Sequence, residues 1–213
     1  MTPIAVEPDH LIVGALALQQ GCDWVEQLLG VRPQPGGKHV AMGTHNAVLS
    51  LGPRFYLEVI AVDPDGTRPL RPRWFDLDEP RMKAALAEGP QLIHWAVRTQ
   101  AIAAATARLP ELGVVTPMAR GDLQWRITIP DEGQRPGRGL VPTLIEWPDT
   151  RHPTDRMADA GLRLAALAGE HPEPAAVRTS LAALGLSDTL KVTYAKSPRL
   201  AAMIRTARGV ATL

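Results

Sequence analysis

A faint internal repeat constrains this chain more than any other feature. Asp9-His10-Leu11-Ile12-Val13 reads as a short strand. Leu18, Cys22, Val25, Leu28 and Leu29 then recur at helical spacing up to Gly30, a residue suited to the left-handed position that ends a helix. Leu92 to Val97 repeats the strand. Ala101 to Leu112 repeats the helix, with Ile102, Ala105, Leu109 and Leu112 on one face, and Leu112-Gly113-Val114 repeats the stop. Extended segments follow each helix, Asn46 to Leu51 and Phe55 to Val62 in the first copy, Leu123 to Ile129 and Leu140 to Trp147 in the second. A weaker third echo runs from a strand at Leu162 to Leu167, through a helix opened by Pro174 that carries Val177, Leu181 and Leu184, to strands near Lys191 to Tyr194 and Ala201 to Ile204. It has alanines where the first two copies carry histidine. The repeated units predict an α+β fold. Between the first two copies, residues 63–90 form a connector rich in proline and charge, with a short helix around Glu79 to Glu88, and residues 131–139 form an exposed loop.

Composition narrows the function classes. Of 213 residues, 45% are hydrophobic and the formal charge is +1, which supports an ordinary globular core and gives no basic field for nucleic acid or anionic lipid. Cys22 is alone, so neither an internal disulfide nor a multi-thiolate zinc site can form. The start MTPIAVEPDH lacks the basic and apolar regions of a leader, and no stretch approaches the roughly 18 apolar residues of a membrane span. These features lead to the expectation of a cytoplasmic protein whose partner is a small molecule. Gly-x-Gly-x-x-Gly, Walker and Gly-x-Ser-x-Gly signatures are missing, which places nucleotide-dependent and serine-hydrolase chemistry far behind.

Each of the first two copies holds a histidine inside an apolar strand, His10 and His94, and a glutamate inside a later one, Glu58 and Glu146. Alternation groups His10 with Ile12, Glu58 with Tyr56 and Ile60, His94 with Ala96 and Arg98, and Glu146 with Leu144. A carboxylate on such a face is costly unless it is paired, protonated or bound to a cation.

Over residues 9 to 150, the segments Asp9-His10-Leu11, Gly43-Thr44-His45-Asn46, Tyr56-Leu57-Glu58-Val59-Ile60, Ile93-His94-Trp95 and Leu144-Ile145-Glu146-Trp147 resemble the vicinal oxygen chelate superfamily, and within it the glyoxalase-like proteins. The resemblance implies a paired domain over residues 1–150, in which tandem βαβββ modules at about 8–64 and 90–150 form a cup-shaped mixed sheet with helices outside. Residues 151–213 would add a third, partial module packed on that sheet, able to buttress a sheet edge or form a homodimer contact. It also implies a divalent metal ion (zinc, nickel, manganese or iron) held by His10, Glu58, His94 and Glu146, with open positions for two substrate oxygens. The implied activity is that of a metal-dependent lyase or isomerase acting on a small substrate with adjacent oxygens, with Glu58 or Glu146 as the catalytic base.

Two other readings share the fold. One is a non-catalytic protein that sequesters an antibiotic or metabolite, with no metal and with Glu58 paired to Arg98 or another cation. The other is an extradiol-type dioxygenase, which four ligands in place of two histidines and one carboxylate count against. Candidate substrate contacts are Asn46, His45, Tyr56, Trp74 and Arg98, with Trp74 in the connector as a lid. His39 reads as an exposed turn residue, and His152 as a solvated loop residue, with a cap over the cleft as its alternative. Trp95, Trp125 and Trp147 read as filling between sheet and helix, and Cys22 as buried.

Overall fold

The computed structural model describes residues 4–148 and 151–213. Strand β1 (Val6–Gly14) leads into helix α1 (Leu18–Leu29), then β2 (Gln34–His39), β3 (Thr44–Ser50) and β4 (Tyr56–Val62). After the connector with helix α2 (Pro80–Glu88), the pattern recurs as β5 (Gln91–Thr99), α3 (Ile102–Arg108), β6 (Val114–Arg120), β7 (Leu123–Ile129) and β8 (Thr143–Glu146). The third unit comprises β9 (Arg163–His171), α4 (Pro174–Ala183), β10 (Leu190–Tyr194), β11 (Arg199–Thr206) and β12 (Gly209–Thr212). The boundary expected at residue 150 lies outside the described residues.

The first two units build one curled sheet of eight strands in the order β2-β3-β4-β1-β5-β8-β7-β6. Within each unit the last strand returns parallel to the first, β4 along β1 and β8 along β5, and the units join where β1 runs antiparallel to β5. Both halves of the cup therefore come from one chain. The third unit repeats the element order but not the pairing. Its sheet runs β10-β9-β11-β12, so α4 links two neighbouring parallel strands.

Apolar side chains divide between two cores by strand alternation. Leu11, Val13, Leu57, Val59, Trp95, Val97 and Leu144 pack on α1, α3 and the C-terminal sheet. Ile12, Ile60, Ile127 and Ile145 face the inside of the curl with Trp74, Phe75, Trp125 and Trp147. Trp95 thus fills between layers as expected, whereas Trp125 and Trp147 line the cup. Gly30 ends α1 at φ 79° and its N–H bonds to the Glu26 carbonyl, the left-handed stop its position predicts. Pro110 interrupts the second expected helix, leaving α3 followed by one 3₁₀ turn at Pro110–Leu112. Among the described residues, no helix is long and apolar enough to cross a membrane.

Strands β2 and β6, at the two sheet edges, escape the alternation rule. Gln34-Pro35-Gly36-Gly37-Lys38-His39 shows no apolar period, and β6 carries Pro117; both features suit edges that face solvent.

Helix α1 lies close on the sheet. A Cβ on Gly21 would sit 2.5 Å from Val59 Cγ1 and 2.9 Å from Ala15 Cβ. Gly21→Ala is therefore expected to lower stability by on the order of 1 kcal/mol, because an overpacking cost of about 1–3 kcal/mol exceeds the gain of roughly 1 kcal/mol in helix propensity. Urea unfolding of both proteins checks this, and a more stable variant would contradict the packing described.

Candidate functional site

A β-bulge fixes the polar end of the cup. Pairing between β1 and β5 jumps from Pro8↔Val97 to His10↔Ala96, which leaves Asp9 without a partner and turns Asp9 and His10 toward the same region. Asp9 Oδ1 lies 2.6 Å from His10 Nδ1, while its Oδ2 accepts from Trp147 Nε1 at 3.0 Å and from His152 Nε2 at 3.1 Å. Burial alone would raise the pKa of Asp9; the hydrogen bonds from His10 and His152 overcome it and hold the carboxyl well below its usual range. An ionised carboxylate only accepts, so His10 carries its proton on Nδ1 and presents Nε2 to the cup.

Opposite stands Glu58 on β4. Its Oε2 is 3.8 Å from His10 Nε2, its Oε1 is 3.9 Å from His39 Nε2, and Asn46 Nδ2 donates to Oε1. His39 Nδ1 meets Thr44 Oγ1 at 3.1 Å, and Arg120 Nη1 comes to 3.5 Å from His39 Nε2. Burial, reinforced by Arg120 and opposed by Glu58, pushes the His39 pKa down to about 4. Tyr56 stacks on the His10 ring with centroids 4.6 Å apart, and burial raises its phenol pKa.

Aromatic rings close the cup. Trp74 and Phe75 stack at 5.3 Å on the connector, Trp74 meets the edge of His39 at 5.1 Å, and Trp125 and Trp147 form the far wall at 5.7 Å from each other. About 20 Å³ remains inside, room for one water molecule. A ligand larger than water therefore enters only when the side chains that line the cup move apart. Phe75 and Asp76 hold left-handed backbone at φ 61° and 60°, a conformation that costs on the order of 1–3 kcal/mol per non-glycine residue. Two buried polar atoms in this region, Trp74 Nε1 and Asn46 Oδ1, have no hydrogen-bond partner. Such orphans mark a place where a ligand would supply the missing contacts.

Of the residues singled out in the sequence, the structure places His10, Asn46, Tyr56, Glu58 and Trp74 around the cup. Other candidates lie elsewhere. His45 alternates to the opposite face of β3 from Asn46. Arg98 is spent on the carbonyls of Pro8 and Arg54, each at 2.6 Å, and on Glu7, so it does not reach Glu58. Glu146 is paired with Arg126 on the face away from the cup, because the cup-facing residues of that strand end are Ile145 and Trp147. His94 shares the cup face of its strand with Ala96 but is fully buried behind Phe75, with ring centroids 5.4 Å apart. Its Nδ1 lies 3.2 Å from the Gly139 carbonyl and must donate, so its Nε2 accepts from the Thr143 hydroxyl at 2.9 Å. Burial, with a contribution from Arg135, pushes its pKa down to about 3.

The registers show why the two halves differ. Ile12 pairs with Glu58 on one side and His94 on the other, while Ala96 pairs with His10 and Thr143. The counterpart of Glu58 in the second half is therefore Thr143, three residues before Glu146. The donors present do not fit the expected four-ligand metal site. Its fourth position holds a neutral hydroxyl, the His94 lone pair is already used, and the Arg120 cation stands beside the remaining donors. Among the described residues, no group of three or more His, Cys, Asp or Glu side chains is placed to hold a metal ion.

Sequence reading missed His39, His152, Asp9 and Arg120. His39 and His152, expected in solvent, are 2% and 1% exposed. His152 Nδ1 accepts from the Thr154 amide at 3.3 Å, and its ring meets Trp147 at 5.5 Å and Tyr56 at 5.6 Å. Only Asp9, a charge next to a strand histidine, carried a local signal.

Comparison with known proteins bears on the same region. The family model described as a glyoxalase-like domain matches residues 9–185. No curated protein matches the chain. Among solved structures, a hypothetical protein from Staphylococcus aureus superposes with a TM-score of 0.65 at 13% identity, over 97% of this chain and 93% of that one. Methylmalonyl-CoA epimerase from Mycobacterium tuberculosis matches with a TM-score of 0.43 at 17% identity, over 67% of this chain and 88% of its own. The Streptomyces coelicolor epimerase gives 0.44 at 18%, over 69% and 98%.

Two outcomes follow from this geometry. His39 and His94 are neutral when folded, so below the ordinary histidine pKa of 6.5 the unfolded chain binds more protons than the native one. Stability should fall as pH drops from about 6.5 toward 4, by up to about 1.4 kcal/mol per pH unit for each of the two, and His94→Gln should remove about one proton of that slope in denaturant titrations. Thr143→Glu would restore the acid that the register assigns to the second half. Added zinc should raise the melting temperature of that variant well beyond its effect on the parent protein, and equal shifts would refute the assignment.

Proposed function

The chain belongs to the glyoxalase-like domain family of the vicinal oxygen chelate superfamily, and from that premise we propose that its cup moves a proton on a small substrate with adjacent oxygens, as an isomerase or lyase. The observation that carries this reading is the Glu58 carboxyl, set 3.8 Å from His10 Nε2 and 3.9 Å from His39 Nε2 inside a closed aromatic cup. Glu58 takes a proton from a carbon next to a carbonyl, and Asn46 holds the carboxyl at the angle for that step. As charge moves onto the carbonyl oxygen, the Arg120 guanidinium beside His39 supports it. Asp9 fixes the tautomer of His10, which leaves His10 Nε2 to exchange a proton with the substrate. Trp74 and Phe75 close over the site and exclude water, which strengthens each of these interactions. No step requires a divalent ion. A reducing cytoplasm, in which the buried Cys22 stays a thiol, suits the reading.

A second reading, sequestration without turnover, draws on the tryptophan walls and on the second half, where Thr143 replaces an acid. One experiment separates the two. A panel of α-hydroxy ketones, 2-oxoaldehyde hemithioacetals and 2-substituted 3-oxo acids is incubated with the protein in D₂O, and exchange next to the carbonyl is followed by NMR. The proton-transfer reading expects exchange with at least one compound, a loss of about 10²–10⁴-fold in Glu58→Gln, and a change under about twofold in Glu146→Gln. Compounds that stabilise the protein in thermal melts without exchanging would favour sequestration instead.

A further inference from the structure

A groove separates the cup-forming sheet from the C-terminal sheet. It consists of two adjoining hollows of about 670 and 720 Å³ that share Arg81, Met82, Arg135, Arg138 and Pro198 as walls. Volumes of this size suit a small molecule rather than an ion.

The first hollow gathers Arg81, Arg135, Arg138 and Arg199 against one acid, Glu170, in a chain whose formal charge is only +1. Arg135 is committed, with its Nε 2.7 Å from Asp76 Oδ2 and its Nη1 2.7 Å from the Ile93 carbonyl. Arg81, Arg138 and Arg199 are exposed, and no side-chain hydrogen bond or ion pair occupies them among the described residues. Arg138 is held at φ 51° and ψ 35°, directly after Gly137 at φ 52°, a left-handed pair inside a 3₁₀ turn. Left-handed backbone at a non-glycine residue is uncommon and clusters at ligand-binding loops. Beside these cations lie the apolar surfaces of Trp24, Met82, Leu92 and Leu200.

An independent signal comes from the second hollow. His171 lines it, is 7% exposed, and accepts the Glu173 amide on Nδ1 at 3.0 Å. Its Nε2 therefore carries the proton, yet that atom is buried without a partner. Glu79, Glu111 and Glu173 make this half acidic, while Asp76 is already paired with Arg135. A dianion therefore belongs in the first hollow, and an uncharged acceptor belongs on His171.

We propose that this groove is a second binding site, separate from the cup, for a small molecule with an apolar ring and a phosphate group. Three unpaired guanidinium forks can satisfy the several acceptor oxygens of a phosphate dianion, and the Trp24 side offers a surface for the ring. A hydroxyl or carbonyl on the ligand would take the His171 Nε2 proton.

Phenyl phosphate is the probe, titrated against the full chain with Trp fluorescence as readout and Trp24→Phe as the signal control. Saturable binding at least about tenfold tighter than that of inorganic phosphate, phenol or benzoate is expected, with a loss of at least about tenfold in Arg138→Ala/Arg199→Ala and a change under about twofold in Arg205→Ala. Calorimetry on the same variants reads binding without the fluorophore, and circular dichroism melts confirm that they fold. Glu58→Gln should bind phenyl phosphate as the parent does, which keeps this site distinct from the cup. Absence of saturation, indifference to the double substitution, or loss of binding in Glu58→Gln would each overturn the proposal. A dimer in sedimentation that dissociates in Arg138→Ala/Arg199→Ala would overturn it too, by making the groove a contact between copies.

Discussion

Because β1 and β5 run antiparallel along one seam, the two halves of the sheet are related by a local two-fold, and every residue of the cup takes its position from that seam. Leu11 opposes Trp95 at its centre, and His10 and His94 occupy matching places on either side. The bulge at Asp9 breaks the match. It turns a carboxylate in beside His10 and gives it two partners from the chain just beyond β8, Trp147 and His152. One unpaired residue in a ladder thus ties the cup floor across both modules. A buried carboxylate is tolerated there only because three donors satisfy it.

The two-fold is kept in the backbone and abandoned in the chemistry. In the first half, His10, His39, Asn46 and Glu58 form a polar cluster. In the second, the places equivalent to His10 and Glu58 are filled by His94 and Thr143, bonded to each other and closed off by Phe75. What the second half contributes instead is a cation, Arg120, and two tryptophans, Trp125 and Trp147. A site with proton-handling groups on one wall and a guanidinium with rings on the other is suited to hold an oxygen-bearing substrate in one orientation. A symmetric metal cage would not distinguish its two ends.

Helices, inner strands and stops were legible in the sequence because each leaves a local mark. Leu18 to Leu29 has helical period and a glycine beyond its end, and β3, β4, β5 and β7 carry apolar alternation. The edge strands leave no such mark, and His39 was lost with β2 because Gln34-Pro35-Gly36-Gly37-Lys38-His39 looks like a turn. Register is the harder quantity. The spacing from His10 to Glu58 is 48 residues, and a matching count from His94 ends near Thr143, not at Glu146. A side-chain period of two makes an odd slip reverse the face, so a glutamate three residues beyond the site points away from it. His152 came from the third source of difficulty, a loop whose burial depends wholly on the tertiary fold. Tyr56 shares a strand face with Glu58 by alternation, Asn46 opens a strand after a glycine and Trp74 is an aromatic in a polar connector, and these local marks lie where the chain meets the cup.

The strap over the cup joins these parts into one mechanical unit. Arg73 bonds to Asp78 through its amide at 2.9 Å and its guanidinium at 2.7 Å, and to the Gly43 carbonyl at 3.4 Å. Asp76 is pinned from the other side by the Gly133 carbonyl at 3.0 Å and by Arg135 at 2.7 Å. Gly133 has no room for a side chain there, since a Cβ would lie 2.0 Å from the Arg73 carbonyl oxygen. Between those anchors, Phe75 and Asp76 hold strained backbone and drive two rings into the cup. Strained backbone of this kind persists only where the surrounding contacts over-determine it, and here two ion pairs and two carbonyl contacts do so. Arg135 reaches past the strap to the Ile93 carbonyl at 2.7 Å, so one guanidinium ties the connector to β5 as well as to Asp76.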